Sequence, residues 1–186
     1  MSAHTDQRLR ELADRESIHR TLRRYAQGVD QRQWDLYRSA FAPGATVAIP
    51  GWIEGSVTAE HFIELLSGEF DAIRLSGQHH LANTLIEFGP TETLEGEASG
   101  PGTARSVTEF LAVNAERASD DPTDTRVRTQ YSGGLQVDDL VRHDGEWLIS
   151  HRVLVRKNDE QYLNERTPEQ IALIADAATN PASAGL

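Results

Sequence analysis

After Gly77 the hydrophobic pattern of this chain changes period. Before it, apolar residues recur every three or four positions; beyond it they alternate. The first spacing builds one face of an α-helix and the second builds a strand. Helices first and strands afterwards, rather than the two interleaved, predict an α+β fold with helices packed on a mainly antiparallel sheet. The helical part opens with Leu9, Leu12, Ile18, Leu22, Tyr25 and Val29 in one stripe. Asp14 can cap a second segment there, so one kinked helix or two are expected. A short helix presents Trp34, Tyr37, Ala40 and Phe41 and stops at Pro43-Gly44. A strand is expected over 45–52. Thr58 then caps a third helix with Phe62, Leu65, Leu66, Phe70 and Ile73 on one face.

Long strands are expected over 78–88, 104–116, 125–142 and 146–156. The Asp144-Gly145 turn joins the last two. Gly133-Gly134 interrupts its strand and predicts a bulge. Residues 90–102 read as an insertion and 118–124 as a polar tip. Thr167-Pro168 opens a last helix carrying Ile171, Ile174 and Ala175, with a frayed tail at 181–186. The expected organisation is one domain over 1–166, followed by a C-terminal helix and tail over 167–186. Strand 78–88 is apolar on both faces, with Leu81 and Leu85 on one and Ala82, Ile86 and Phe88 on the other. One face is therefore expected against the helices and the other in a homodimer or homotrimer.

A net charge of −11 over 186 residues argues against binding nucleic acid or an anionic membrane surface. With no cysteine there is no thiol nucleophile, disulfide or zinc-thiolate site. The polar residues 1–10 carry no signal-peptide core, and a cytoplasmic location is expected. No phosphate-binding glycine loop, GxSxG or HExxH motif is present. The seven histidines are scattered, and His79 and His80, as strand neighbours, point to opposite faces. Neither a metal nor an organic cofactor is expected.

Four side chains are candidates for a shared pocket: Tyr25, Asp30, His79 and Arg152. Each has an ordinary structural alternative. Tyr25 can be a core aromatic, and Asp30 can form a capping box with Gln33. His79 can be a hydrogen-bonded core residue, and Arg152 can pair with Asp138 on the neighbouring strand. Trp52, Asn83, Phe110, Tyr131 and Leu135 are the expected pocket walls.

These residues sit in segments that resemble the SnoaL-like division of the nuclear-transport-factor-2-like superfamily. The segments are Ala13 to Ile18, Arg24 to Trp34 with Tyr25 and Asp30, and Phe41 to Ala45. They continue with Gln78 to Asn83, and with Asp144-Gly145-Glu146-Trp147 running into His151-Arg152. The resemblance implies a curved antiparallel sheet wrapped as a cone around a pocket, closed by N-terminal helices. It places Asp30 and His79 at the dyad of the scytalone dehydratase, bile-acid dehydratase and lindane dehydrochlorinase branch. Tyr25 falls at a dehydratase tyrosine and Arg152 at a dehydrochlorinase arginine. Ketosteroid isomerase chemistry is disfavoured, because its carboxylate would fall near Ile49. A second acid of the bile-acid enzyme would fall near Glu109-Phe110.

The expected activity is that of a lyase-type enzyme, a dehydratase or a related elimination or isomerisation catalyst. It would act on a hydrophobic cyclic or aromatic small molecule through His79 as base and Asp30 as its orienting partner. Tyr25 would donate a hydrogen bond, and Arg152 would stabilise a leaving anion or enolate. The alternatives are a non-catalytic ligand-binding or dioxygenase small-subunit-like module, and a polyketide-type cyclase.

Overall fold

The computed structural model describes residues 3–94, 97–121 and 123–179. The tail expected at 181–186 lies outside the described residues, as do 95–96 of the insertion and 122 of the polar tip. Helix α1, Ala3–Asp30, is continuous. Asp14 therefore caps nothing. It is buried, and it accepts the Trp147 indole N–H at 3.1 Å and a second bond from Arg142. Ile18, Leu22, Tyr25, Ala26 and Val29 form the buried face, whereas Leu9 and Leu12 are exposed. A helix of 28 residues is about 42 Å long at 1.5 Å per residue, longer than a small domain is wide. Its packing against the sheet begins at Asp14 and runs to its C-terminus.

Helix α2, Trp34–Arg38, folds back on α1. The contact needs Gly28, since a Cβ there would lie 2.5 Å from the Tyr37 backbone nitrogen. Strand β1, Phe41–Ala48, begins before the expected position, and the two-residue β2, Val57–Thr58, pairs with it. Thr58 caps α3, Ala59–Leu65, by accepting the His61 N–H at 3.2 Å. The single third helix expected from the sequence is interrupted. A π-helical turn, Leu66–Phe70, separates α3 from the short α4, Asp71–Ile73, and Gly68 leaves the helical region with φ −92° and ψ −108°.

The long strands are β3 (Arg74–Phe88), β6 (Thr103–Arg117), β7 (Arg126–His143) and β8 (Glu146–Glu165). Within the insertion, β4 (Thr91–Leu94) and β5 (Glu97–Pro101) make a separate ribbon. Among the described residues the main sheet has the order β2-β1-β8-β7-β6-β3; it is strongly curved and unclosed. Its neighbours are antiparallel except β1 and β8, which run parallel.

Register shifts locate the bends, because an extra residue on one strand of a pair kinks it and tightens its twist. One falls at Gly133/Gly134, as the glycine pair predicts. Gly134 cannot carry a side chain, since a Cβ would approach the Val155 carbonyl oxygen to 2.0 Å. Another shift lies between Ala82 and Leu85, around Asn83, whose φ of 51° suits an asparagine. The buried core joins the inner face of α1 to Val47, Ile49, Phe62, Ile86, Phe110, Leu140, Trp147 and Ile149. Helix α5, Pro168–Thr179, begins with a reciprocal cap between Thr167 and Gln170 and packs against β3, the sheet's edge.

Asp14 ties α1 to the β8 tryptophan, and its removal strands a buried indole donor. Asp14→Ala is expected to lower unfolding free energy by about 1–3 kcal/mol in urea titration.

Candidate active site

The C-terminal turns of α1 bring two polar side chains, Tyr25 and Asp30, to one end of the sheet. Tyr25 and Val29 are one turn apart on the buried face, and Asp30 is the last helical residue. Asp30 does not form the capping box with Gln33, whose amide bonds Gln31 instead. Its carboxylate crosses to β3. Oδ1 lies 2.6 Å from His79 Nδ1, and Oδ2 accepts the His79 backbone N–H at 2.7 Å. Two bonds from one residue fix both the carboxylate and the imidazole. With Nδ1 donating to Asp30, Nε2 carries the lone pair. Gly77 makes room for this pair: a Cβ there would meet Arg74 Nη1 at 2.6 Å, Asn114 Oδ1 at 3.0 Å and Asp30 Oδ1 at 3.4 Å.

His79 and Tyr25 line one cavity of about 120 Å³, with their rings perpendicular and 6.3 Å apart. That volume is close to the ~150 Å³ apolar cavity that holds a benzene. Trp52 and Phe110 stand in its wall, joined by Trp34, Phe62, Phe70 and Leu154. Ile49 also lines it, where the isomerase-type carboxylate would fall. The remaining wall is polar and includes Arg74, Asn114, Glu116, Gln130, Ser132 and Gln136.

Three expected wall residues stand elsewhere. Asn83 is exposed on its bulge and donates to Glu109 at 2.8 Å, so Glu109 also faces outward. Tyr131 is exposed against Tyr162, with ring centroids 5.8 Å apart, and Leu135 shares its strand phase. The even-numbered residues of β7 from Gln130 to Asp138 face inward instead. Alternation leaves two opposite assignments for a strand with apolar residues on both phases, and pairing across the sheet selects between them. The inward position of Gln136 is hidden in the sequence for the same reason. The available signal was a glutamine between Leu135 and Val137, in phase with Ser132 and Asp138.

Arg152 does not reach the cavity. It is fully buried and makes a two-pronged pair with Asp138, at 2.6 and 2.7 Å. Its guanidinium carbon lies 3.8 Å from the Tyr25 ring centroid, beneath the ring. Burial alone would lower the Arg152 pKa, but the Asp138 charge and its hydrogen bonds prevail and hold the guanidinium ionised. Burial raises the Tyr25 phenol above its ordinary value, against the opposing pull of Arg152. Burial, with Tyr25 next to it, raises Tyr37 further. Among the described residues, no group of three or more histidine or carboxylate side chains is placed to hold a metal ion. No helix among them is long and apolar enough to cross a membrane.

The two tyrosines carry a pH dependence. Both phenols sit above the ordinary value of 10.0 when folded. A raised folded pKa contributes stability that is complete below the unfolded value and is lost as pH rises through the folded one. Urea midpoints are therefore expected to fall above about pH 10. The fall should be shallower in Tyr25→Phe and Tyr37→Phe.

The fold and the site can be set beside known proteins. The type 2 hexachlorocyclohexane dehydrochlorinase LinA superposes with a TM-score of 0.66 at 17% identity, covering 86% of this chain and 97% of its own. A scytalone dehydratase-like protein of Novosphingobium aromaticivorans DSM 12444 gives 0.63 at 18% identity, covering 88% and 94%. LinA-type3 of Novosphingobium barchaimii LL02 gives 0.64 at 16% identity, covering 83% and 93%. At such identities the likeness is one of fold. No curated protein matches the chain. The model of the SnoaL-like domain matches residues 10–153, about three-quarters of the sequence. The chain therefore belongs to the SnoaL-like domain family.

Proposed function

We propose that this protein is a lyase-type enzyme that eliminates a leaving group from a small, largely hydrophobic ring, with His79 as the base. One observation carries the reading. His79 Nδ1 is held at 2.6 Å by Asp30 while the same imidazole lines a cavity the size of a single ring. An imidazole fixed in this way presents Nε2 with a defined tautomer, and the carboxylate stabilises the cation formed on protonation.

In the proposed step Nε2 takes a proton from carbon. The C–H electron pair becomes the new carbon–carbon π bond, and the leaving group departs with the pair of the bond it breaks. For a hydroxyl leaving group, the proton on His79 returns to the departing oxygen and water is released. Tyr25 donates a hydrogen bond to the oxygen on which charge develops. Its raised pKa keeps the phenol protonated for that purpose. Arg152 serves through Tyr25, as a cation beneath the ring, rather than by touching the substrate. The dehydrochlorinase and dehydratase among the structural neighbours support elimination as the reaction class.

Single-ring β-hydroxy ketones and chlorinated cyclohexanes are the substrates to screen. On a substrate that turns over, His79→Ala and Asp30→Asn are each expected to lower kcat by roughly 10²–10⁴-fold without changing the circular dichroism spectrum. Full activity in both variants would eliminate the dyad reading.

We also propose a cytoplasmic homodimer or homotrimer. The outer face of the sheet exposes Leu85, Leu111, Tyr131, Val155 and Tyr162, which is a surface suited to a second copy. Light scattering at micromolar concentration should give two or three chain masses; a single chain mass would refute the assembly.

A further inference from the structure

Gln136 is the one pocket-lining side chain among the described residues whose amide nitrogen and oxygen are both buried without a partner. It is 0% exposed. Its polar neighbours on the same strand are satisfied: Gln130 donates to Asp159 at 2.9 Å and Ser132 donates to it at 3.1 Å. Directly across from Gln136 stand Thr108 on β6 and Leu154 on β8. The Thr108 hydroxyl is shared with Thr84 at 3.1 Å, and Leu154 offers no polar atom. On the neighbouring strand β8, behind the cavity wall, a second buried donor is unmatched, Arg152 Nη1, whose partner Asp138 lies two residues from Gln136 in the same inward row.

A buried amide without partners is unfavourable, and most are paired in native proteins. An unmatched amide in a pocket wall is the state of a group that waits for its ligand. A primary amide offers one acceptor and one N–H donor side by side. The smallest group on a ring that answers both at once is a hydroxyl, whose O–H donates to Oε1 and whose oxygen accepts from Nε2. A chlorine or hydrogen in its place leaves the amide stranded.

We propose that Gln136 is a specificity-determining residue that binds a hydroxyl on the substrate ring, so that the pocket selects hydroxylated rings over halogenated or hydrocarbon ones. The inference rests on this cavity being the substrate site and deepens that reading by naming the substrate class. It favours an oxygenated substrate over the chlorinated ring of the LinA neighbours.

Phenol and chlorobenzene serve as probes, since both are single rings and differ at one substituent. Their dissociation constants are measured by titration calorimetry and by amide-detected NMR on the wild-type chain, Gln136→Leu and His79→Ala. In the wild type phenol should bind at least about tenfold more tightly than chlorobenzene, the discrimination that one hydrogen bond to a buried partner supplies. Phenol should also shift the Gln136 side-chain amide resonances. In Gln136→Leu the preference should fall to near unity, and the free protein should melt at the same temperature or a few degrees higher, because a stranded amide has been removed. In His79→Ala the preference should persist while turnover is lost, which separates recognition from the dyad. The proposal is overturned if phenol does not bind, if the two probes bind wild type equally, or if Gln136→Leu keeps the preference. It is also overturned if Gln136→Leu melts several degrees lower, which marks the glutamine as structural.

Discussion

A pair of charges buried between two strands organises this molecule. Arg152 and Asp138 are both fully enclosed, and two short bonds join them across β7 and β8. Removing two ions from water is expensive, and their attraction in the interior offsets this only when the geometry is close to ideal. Such a pair therefore contributes less to stability than to register. A slip of one residue would leave a guanidinium and a carboxylate buried without partners, at a cost of several kcal/mol. The pair thus selects one alignment of β7 on β8, and that alignment sends Gln130, Ser132 and Gln136 into the pocket and Tyr131 out of it.

The same pair supports α1. The Arg152 cation lies beneath the Tyr25 ring, and Tyr25 packs on Tyr37 with centroids 4.9 Å apart. One helical turn beyond, α1 ends at Asp30, which reaches β3. At this end of α1, helix and sheet thus meet at two polar contacts little more than one turn apart, with buried Val29 between them. The arrangement holds Tyr25 and His79 against one cavity, with no loop between them to blur the geometry. Residues carried on rigid elements are placed more accurately than residues on loops.

The cavity has two characters. Trp52, Phe62, Phe70 and Phe110 supply apolar area, which favours any ring of suitable size. Gln136 and the other polar residues from β6 and β7 add little to the affinity for a hydrocarbon, and they reward a ligand with matching oxygen atoms. An amide whose partners arrive only with the ligand would lower the stability of the free protein, which is the familiar compromise between stability and a prepared site.

The succession of helices and strands was legible in the sequence because hydrophobic period is a local property. Turn chemistry was legible for the same reason: Thr58 and Thr167 cap helices, and Gly133-Gly134 marks a bend. The proximity of Asp30 and His79 followed from the order and spacing of segments shared with a family. The interruption of the third helix at Gly68 and the outward turn of Asn83 were less visible, since a helix period runs through the first and a strand period through the second.

What the sequence determined alone was the order of elements and the residue types available for chemistry, because both depend on near neighbours and composition. What only the tertiary structure decided was which face each residue takes. Tyr131 and Leu135 were as credible inside as Gln136, because β7 carries apolar residues on both phases. The choice depends on an ion pair between Asp138 and Arg152, fourteen residues apart in sequence and opposite one another in the sheet. The sequence offers this pair as one alternative for Arg152, and only pairing across the strands, a non-local constraint, selects it.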